Sequence, residues 1–216
     1  MPEQAKQHNQ GKHARRDTTV VKVAVIYYSS TGTVHAMAGH AVAAAEKAGA
    51  EVRLRKVAEL APDEAIASNP DWAAHAEATG DVTEATLDDL AWADVLAFGT
   101  PTRYGLPTAQ IKQFIDTSGP LWEQGKLVNK VATSFTSTAT THGGQESTIL
   151  ALNNTFYHWG CVIVSPGYAD PVMFDPANGN PYGVSVVGGS GIAEPQVAAI
   201  GVQMRRAVEV ARALSR

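Results

Sequence analysis

Residues 20–34 constrain this chain more than any other stretch. An apolar run from Val20 to Tyr28, broken only by Lys22, leads at once into Ser29-Ser30-Thr31-Gly32-Thr33-Val34, and an alanine-rich segment with helical patterning follows. A buried strand, a hydroxyl-and-glycine turn and a helix start make an anion site in that order. The first amides of a helix lack an intrahelical acceptor, and the helix dipole adds partial positive charge there. Ser29, Ser30, Thr31 and Thr33 contribute hydroxyls, and the turn carries no lysine. It is therefore neither the GxxxxGK[ST] loop of nucleoside triphosphatases nor a GxGxxG dinucleotide turn. The same residues also suit an ordinary Ser/Thr helix cap, so this segment alone leaves both readings open.

Five apolar runs are spaced as strands of a parallel sheet: residues 20–27, 51–57, 94–98, 130–135 and 161–164. The second, with Val52, Leu54 and Val57, alternates as an edge strand does. Helical patterns occupy 34–48, 108–117, 145–158 and 195–214. The last has a stripe through Val197, Ile200, Met204, Ala207, Val208, Ala211 and Leu214, with Pro195 suited to its first turn. Strand–helix alternation with right-handed crossovers gives an α/β, doubly wound, five-stranded parallel sheet with helices on both faces. The order 2-1-3-4-5 is expected, with a ligand crevice at the carboxyl ends of strands one and three. Two connections exceed ordinary length. One is an insertion over about 58–92 with a helical stretch at 83–90; the other is a Gly- and Pro-dense segment at 165–195. The acidic pairs Asp63-Glu64 and Asp88-Asp89 read as solvated faces of the insertion.

A domain of residues 20–216 follows a segment, 1–19, that holds Lys6, Lys12, Arg15 and Arg16 and almost no apolar residue, and reads as a disordered tail or expression remnant. The net charge of −4 speaks against nucleic acid as a main partner. No apolar run approaches the length of a membrane span, and no secretory signal core is present. The single cysteine, Cys161, rules out an internal disulfide, fits a reducing cytoplasm, and reads as a buried strand thiol. No metal site is expected, because the histidines show no helical i,i+4 pairing with a carboxylate and no cysteine partner. No G-x-S-x-G elbow supports a hydrolase.

In a doubly wound sheet the loops after strands one, three and four converge on one ligand. The second of these runs through Gly99, Pro101, Thr102, Arg103, Tyr104, Gly105 and Pro107. Glycines and prolines there shape the backbone for close approach to a flat ring, Tyr104 offers an aromatic face and Arg103 a fixed positive charge. The third contains Ser137, Thr138, Ala139, Thr140, Thr141 and His142, followed by Gly143-Gly144-Gln145-Glu146 at a helix start. His142 reads equally as a ligand contact or a plain loop histidine.

Together these strings resemble the WrbA family, flavodoxin-like FMN-dependent NAD(P)H:quinone oxidoreductases (type IV). The match runs through Tyr27-Tyr28-Ser29 with Gly32, and Gly99-Thr100-Pro101-Thr102-Arg103-Tyr104-Gly105. It continues through Leu121-Trp122, Phe135-Thr136-Ser137-Thr138, Gly143-Gly144-Gln145-Glu146, His158-x-Gly160, Gly167-Tyr168 and Asn180-Pro181-Tyr182-Gly183. The resemblance implies a flavodoxin-like fold and roles position by position. Ser29, Ser30, Thr31, Gly32, Thr33 and Val34 would hold the FMN phosphate, with Thr31 at the position that meets the nicotinamide nucleotide. Pro101, Thr102, Arg103 and Tyr104 would line the isoalloxazine. Residues 137–142 would hold the ribityl chain and ring edge, and His158 would reach the flavin from the end of its helix. Trp122 would line the substrate pocket, with a core tryptophan as the other reading. The resemblance also implies a homotetramer whose flavin pockets draw on neighbouring subunits. Trp72, Trp92 and Tyr182 are candidate interface residues.

The flavin loops carry Arg103 and no Asp or Glu. A cation lowers the energy of an anionic reduced ring, and carboxylates raise it. The sequence therefore expects full two-electron reduction, with hydride passing from NAD(P)H to a quinone in ping-pong fashion and no obligate side-chain acid or base. The alternative is a one-electron carrier flavodoxin. Arg103, the modest acidity and Val34 count against it, since carriers close this turn with a hydroxyl.

Overall fold

The computed structural model of the protein describes residues 20–189 and 191–215, so the expected tail at 1–19 lies outside the described residues. Strands β1 (Lys22–Tyr27), β2 (Glu51–Lys56), β3 (Val95–Pro101), β4 (Val131–Thr138) and β5 (Val162–Ile163) form a parallel sheet in the order β2-β1-β3-β4-β5. This is the expected topology, with one addition. A short strand, β6 (Ser185–Val187), pairs in parallel with the carboxyl half of β4, while β5 pairs with its amino half. The fifth position is thus filled by two short strands with the 165–184 segment looped out between them. Only three residues of β6 carry the ladder, too few to produce a readable period.

Alternation along β1 builds both cores. Val23, Val25 and Tyr27 face α1 (Thr33–Lys47) and α8 (Glu194–Leu214), whereas Ala24, Ile26 and Tyr28 face the opposite layer. That layer contains α5 (Ala109–Asp116) and α7 (Gln145–Trp159). There the Phe98 ring sits 5.5 Å from Phe156 and 6.0 Å from Trp159. β2 lies at the sheet edge as expected. Its exposure is relieved by the insertion, whose Thr83 carbonyl accepts the Lys56 amide and whose Ala85 amide donates to the Lys56 carbonyl.

The insertion carries α2 (Asp63–Ala67), α3 (Pro70–Ala78) and α4 (Leu87–Trp92); α6 (Gly119–Glu123) follows α5. The helix expected at 83–90 starts later because the Thr86 amide and hydroxyl both donate to the Asp89 carboxylate, which fixes the helix entry at Thr86. Asp89 also corrects the reading of Asp88-Asp89 as a solvated pair. Asp88 is exposed, but Asp89 is buried and accepts from Arg53 and Arg55 of β2 at 3.1 Å each. Burial would raise its pKa. The Thr86 amide and the two arginines outweigh that effect, so the carboxyl is held below its ordinary range. Trp92 and Trp72, the candidate interface residues, are half-buried and each makes a contact within the chain: Arg53 lies over the Trp92 ring at 4.0 Å, and Trp72 Nε1 donates to Glu59. Tyr182 is exposed. No described helix is long and apolar enough to cross a membrane.

Candidate functional site

The carboxyl ends of β1, β3 and β4 bring the three predicted loops to one end of the sheet. In the first, Ser29 Oγ accepts the Gly32 amide at 3.1 Å, and Gly32 adopts φ +95 as the residue before α1. That conformation favours glycine. Although Ser29, Ser30, Thr31 and Thr33 surround this helix start, no side chain caps it, and no acidic residue lies in its first turn. Among the described residues, the amides of Ser30, Thr31, Thr33, Val34 and His35 have no hydrogen-bond acceptor. The ordinary-cap reading is therefore set aside. Side chains that would satisfy these donors are present and do not do so. The Val34 side chain is buried behind Gly99 and Phe135, so only its amide faces the turn.

The second loop is a tight hairpin. Arg103 and Leu106 exchange backbone hydrogen bonds at 2.8 and 3.0 Å, and Tyr104 and Gly105 between them have φ values of 54 and 79. Two central residues at positive φ define a type I′ turn. It leaves the Tyr104 ring fully exposed. Thr102 braces the turn from below: its amide donates to the Ser137 carbonyl, and its hydroxyl accepts from the Gly105 amide and from Thr148. The Arg103 guanidinium spans to the first loop, donating to Ser30 Oγ at 3.4 Å.

In the third loop, Ser137 and Thr138 are buried at the end of β4, and Thr138 Oγ1 donates to the Thr140 carbonyl while accepting from Gln145 Nε2. Ala139, Thr140, Thr141 and His142 are exposed above it. Gly144, at φ +95, lets the two loops touch, since a Cβ there would lie 2.7 Å from Gly105 Cα.

The loops also receive residues that the sequence reading missed. Gly188, just after β6, donates to the Thr138 carbonyl, and a Cβ on it would sit 3.4 Å from Thr33 Oγ1, so a fourth loop reaches the crevice. The glycine density at 165–195 was the available signal. On the insertion side, Glu59 accepts from Tyr28 at 2.8 Å, Gln110 at 2.6 Å and Trp72 at 3.3 Å. Burial works to raise the Glu59 pKa, but the Ala61, Gln110, Tyr28 and Leu60 donors win and lower it. Nothing local in the sequence distinguishes Glu59 from a surface carboxylate.

Two predicted residues are not brought to this end within one chain. His158 and Trp122 lie together, with Trp122 Nε1 donating to the His158 carbonyl at 3.0 Å. They sit at the far end of α7, about 20 Å along the helix from Gln145 at 1.5 Å per residue. Helix α7 runs back along the sheet from the crevice, so its last turn belongs to the opposite rim. Both are exposed, which corrects the core reading of Trp122.

Residues 21–171 match the model of the NADPH-dependent FMN reductase family. The chain belongs to this family. A relative from Deinococcus radiodurans, named NAD(P)H dehydrogenase (quinone), is 49% identical over 194 residues, covering 89% of this chain and 96% of that protein. A Sinorhizobium fredii protein of the same name is 40% identical over 197 residues, with the same coverage of each. Among solved structures, a WrbA-like flavodoxin from Agrobacterium tumefaciens shares the fold with a TM-score of 0.63 at 23% identity, covering 89% of this chain and 98% of the other. The resemblance drawn from the motifs agrees with these relatives.

The donor set fits the cofactor that the family name implies. A phosphate needs several convergent N–H and O–H donors without a competing carboxylate. The turn supplies five amides without an acceptor among the described residues, the Thr31 and Thr33 hydroxyls, and the Arg103 guanidinium at its lip.

Proposed function

We propose that this protein is an FMN-dependent NAD(P)H:quinone oxidoreductase working by ping-pong hydride transfer, as a homotetramer in the cytoplasm. The observation that carries the reading is the uncapped, hydroxyl-ringed start of α1 beside Arg103 and the Tyr104 turn, in a chain 49% identical to an NAD(P)H dehydrogenase (quinone). Bound FMN supplies the ring that takes up and gives back the hydride.

The chain's residues do the rest. Ser29, Ser30, Thr31, Gly32, Thr33 and Val34 bind the phosphate through backbone amides and hydroxyls. Pro101 and Thr102 would lie under the ring, and Arg103 would hold a fixed positive charge near it that favours negative charge there. Tyr104 presents its exposed ring for stacking. Ser137, Thr138, Ala139, Thr140, Thr141 and His142 flank the ribityl chain and ring edge. With FMN bound, the hydride chemistry would belong to the cofactor and the residues named would supply orientation and electrostatics, so no side chain is assigned as acid or base.

The tetramer gives His158 and Trp122 their place. Tyr104 and Leu106 of the second loop, Leu150 and Tyr157 on α7, and Trp122 and Val128 are exposed apolar side chains that the proposed interface would join into one strip. A second copy packed head-to-tail along such a strip would bring Trp122 and His158 over the Tyr104 turn of its neighbour, closing the pocket against water. Trp122 then lines the quinone site.

Steady-state kinetics with NAD(P)H and benzoquinone test the proposal. Parallel lines in double-reciprocal plots are expected. Intersecting lines would exclude the alternating use of one face, and the absence of benzoquinone-dependent turnover by the FMN-saturated protein would exclude the activity.

A further inference from the structure

Behind the turn that would take the phosphate lies an aromatic and imidazole cluster with no part in the mechanism above. The Tyr27 hydroxyl shares a 2.6 Å hydrogen bond with His35 Nδ1. The His35 ring, in the first turn of α1, packs 5.3 Å from the ring of His75, which comes from α3 of the insertion. His75 in turn covers the turn itself: a Cβ on Gly32 would lie 3.5 Å from His75 Nδ1. The His75 side chain has no hydrogen-bond partner among the described residues, so one of its ring nitrogens is free to take a proton.

We infer that His75 is a cofactor-positioning residue, holding the Gly32 turn in place and taking up a proton, with His35, when a phosphate dianion settles on the amides of α1. The inference rests on the FMN reading and names a residue outside the loops that carry it.

The charge balance supports the step. The turn holds no lysine or arginine, and the cation nearest to it on the second loop, Arg103, reaches it only at Ser30. A dianion placed at the helix start raises the proton affinity of every neighbouring base. The other titratable groups that line the cavity around His75 are Tyr27, Tyr28, Lys56, Glu59 and Glu84. Lys56 is tied to the Thr79 carbonyl, and Glu59 to Tyr28, Trp72 and Gln110. The two imidazoles are therefore the groups in the cluster placed to change charge near neutrality. Without phosphate, burial holds both below their ordinary pKa, and for His75 the charges of His35 and Lys56 add to the effect. They start neutral, so binding shows as proton uptake.

The test is calorimetric titration of the cofactor-free protein with FMN at about pH 7.5, where the phosphate is mostly a dianion. Two buffers of different ionisation heat are compared, with riboflavin as the phosphate-free probe. Wild type is expected to take up a measurable fraction of a proton with FMN and none with riboflavin. His75→Gln is expected to lose most of that uptake and to bind FMN about five- to tenfold more weakly, at the low end of typical coupling between sites, while riboflavin affinity stays within about twofold. His75→Ala should do the same, and circular dichroism reports whether either variant is folded. If both unfold, the wild-type buffer comparison still decides. FMN binding by wild type without proton uptake overturns the inference while leaving the FMN reading intact. So does a folded variant with unchanged uptake, or an equal loss for FMN and riboflavin. Failure of wild type to bind either flavin overturns both.

Discussion

At the scale of single residues, the site is built from backbone conformations that cost stability. Tyr104 sits at φ 54 with its side chain wholly in solvent, so no side-chain contact of its own within the chain offsets the left-handed backbone. Tyr104→Gly is expected to raise the thermal stability of the cofactor-free protein by about 1 kcal/mol while lowering kcat/KM for benzoquinone, measured by thermal melts and initial rates. Gly144 is the converse case. A Cβ there meets the Gly105 backbone at 2.7 Å, a clash that no rotamer relieves. Gly144→Ala should cost about 1–3 kcal/mol and weaken FMN binding by separating the second and third loops, read by denaturant unfolding and flavin fluorescence. His35 and His75 give the site a pH signature. Their folded pKa values lie below the ordinary 6.5, so between the two the unfolded chain binds more protons. Stability of the cofactor-free protein is therefore full above pH 6.5 and falls as pH drops through that value towards the lower folded pKa, which melts in a pH series would show.

Elements differ in how far the sequence exposes them. The long strands and helices are readable because each buries a whole face: β1 alternates between two cores, and α8 keeps a 3.6-residue stripe over five turns. The phosphate turn, the Pro-Thr-Arg-Tyr-Gly hairpin and the Gly-Gly start of α7 are legible as local strings because their chemistry is local. Two parts of the site are not. The loop after β6 depends on a three-residue strand that only pairing with β4 defines. The insertion depends on long-range polar contacts, in which Asp89 reaches β2 across 36 positions and Glu59 reaches Gln110 across 51. Such carboxylates look like solvent-facing charges until the fold supplies their donors. Replacing Asp89 by Ala leaves Arg53 and Arg55 without their shared acceptor and removes the entry cap of α4. A loss of about 2–4 kcal/mol is expected in urea unfolding, reduced from that of a fully buried pair because both arginines are partly exposed.

For the whole molecule, the sheet gathers the loops after β1, β3 and β4 at its carboxyl end and leaves His158 and Trp122 at the other. The proposed assembly reconciles the two. Leu150→Arg, on the exposed face of α7 assigned to the proposed interface, should lower the mass seen by light scattering and the quinone-reductase rate while leaving the fold of one chain intact, since Leu150 already faces solvent there. A wild-type protein that is monomeric at micromolar concentration would remove the assembly and return both residues to the surface.

On the proposed function, the turns at the ends of β1, β3 and β4 hold a flavin that passes reducing equivalents from NAD(P)H to a quinone. Anaerobic absorbance of the FMN-loaded protein tests it most directly. NAD(P)H is expected to bleach the yellow band and stoichiometric benzoquinone to restore it. A band that stays with the protein yet is untouched by NAD(P)H, or that bleaches and does not return with quinone, would rule out quinone reduction through a flavin held there.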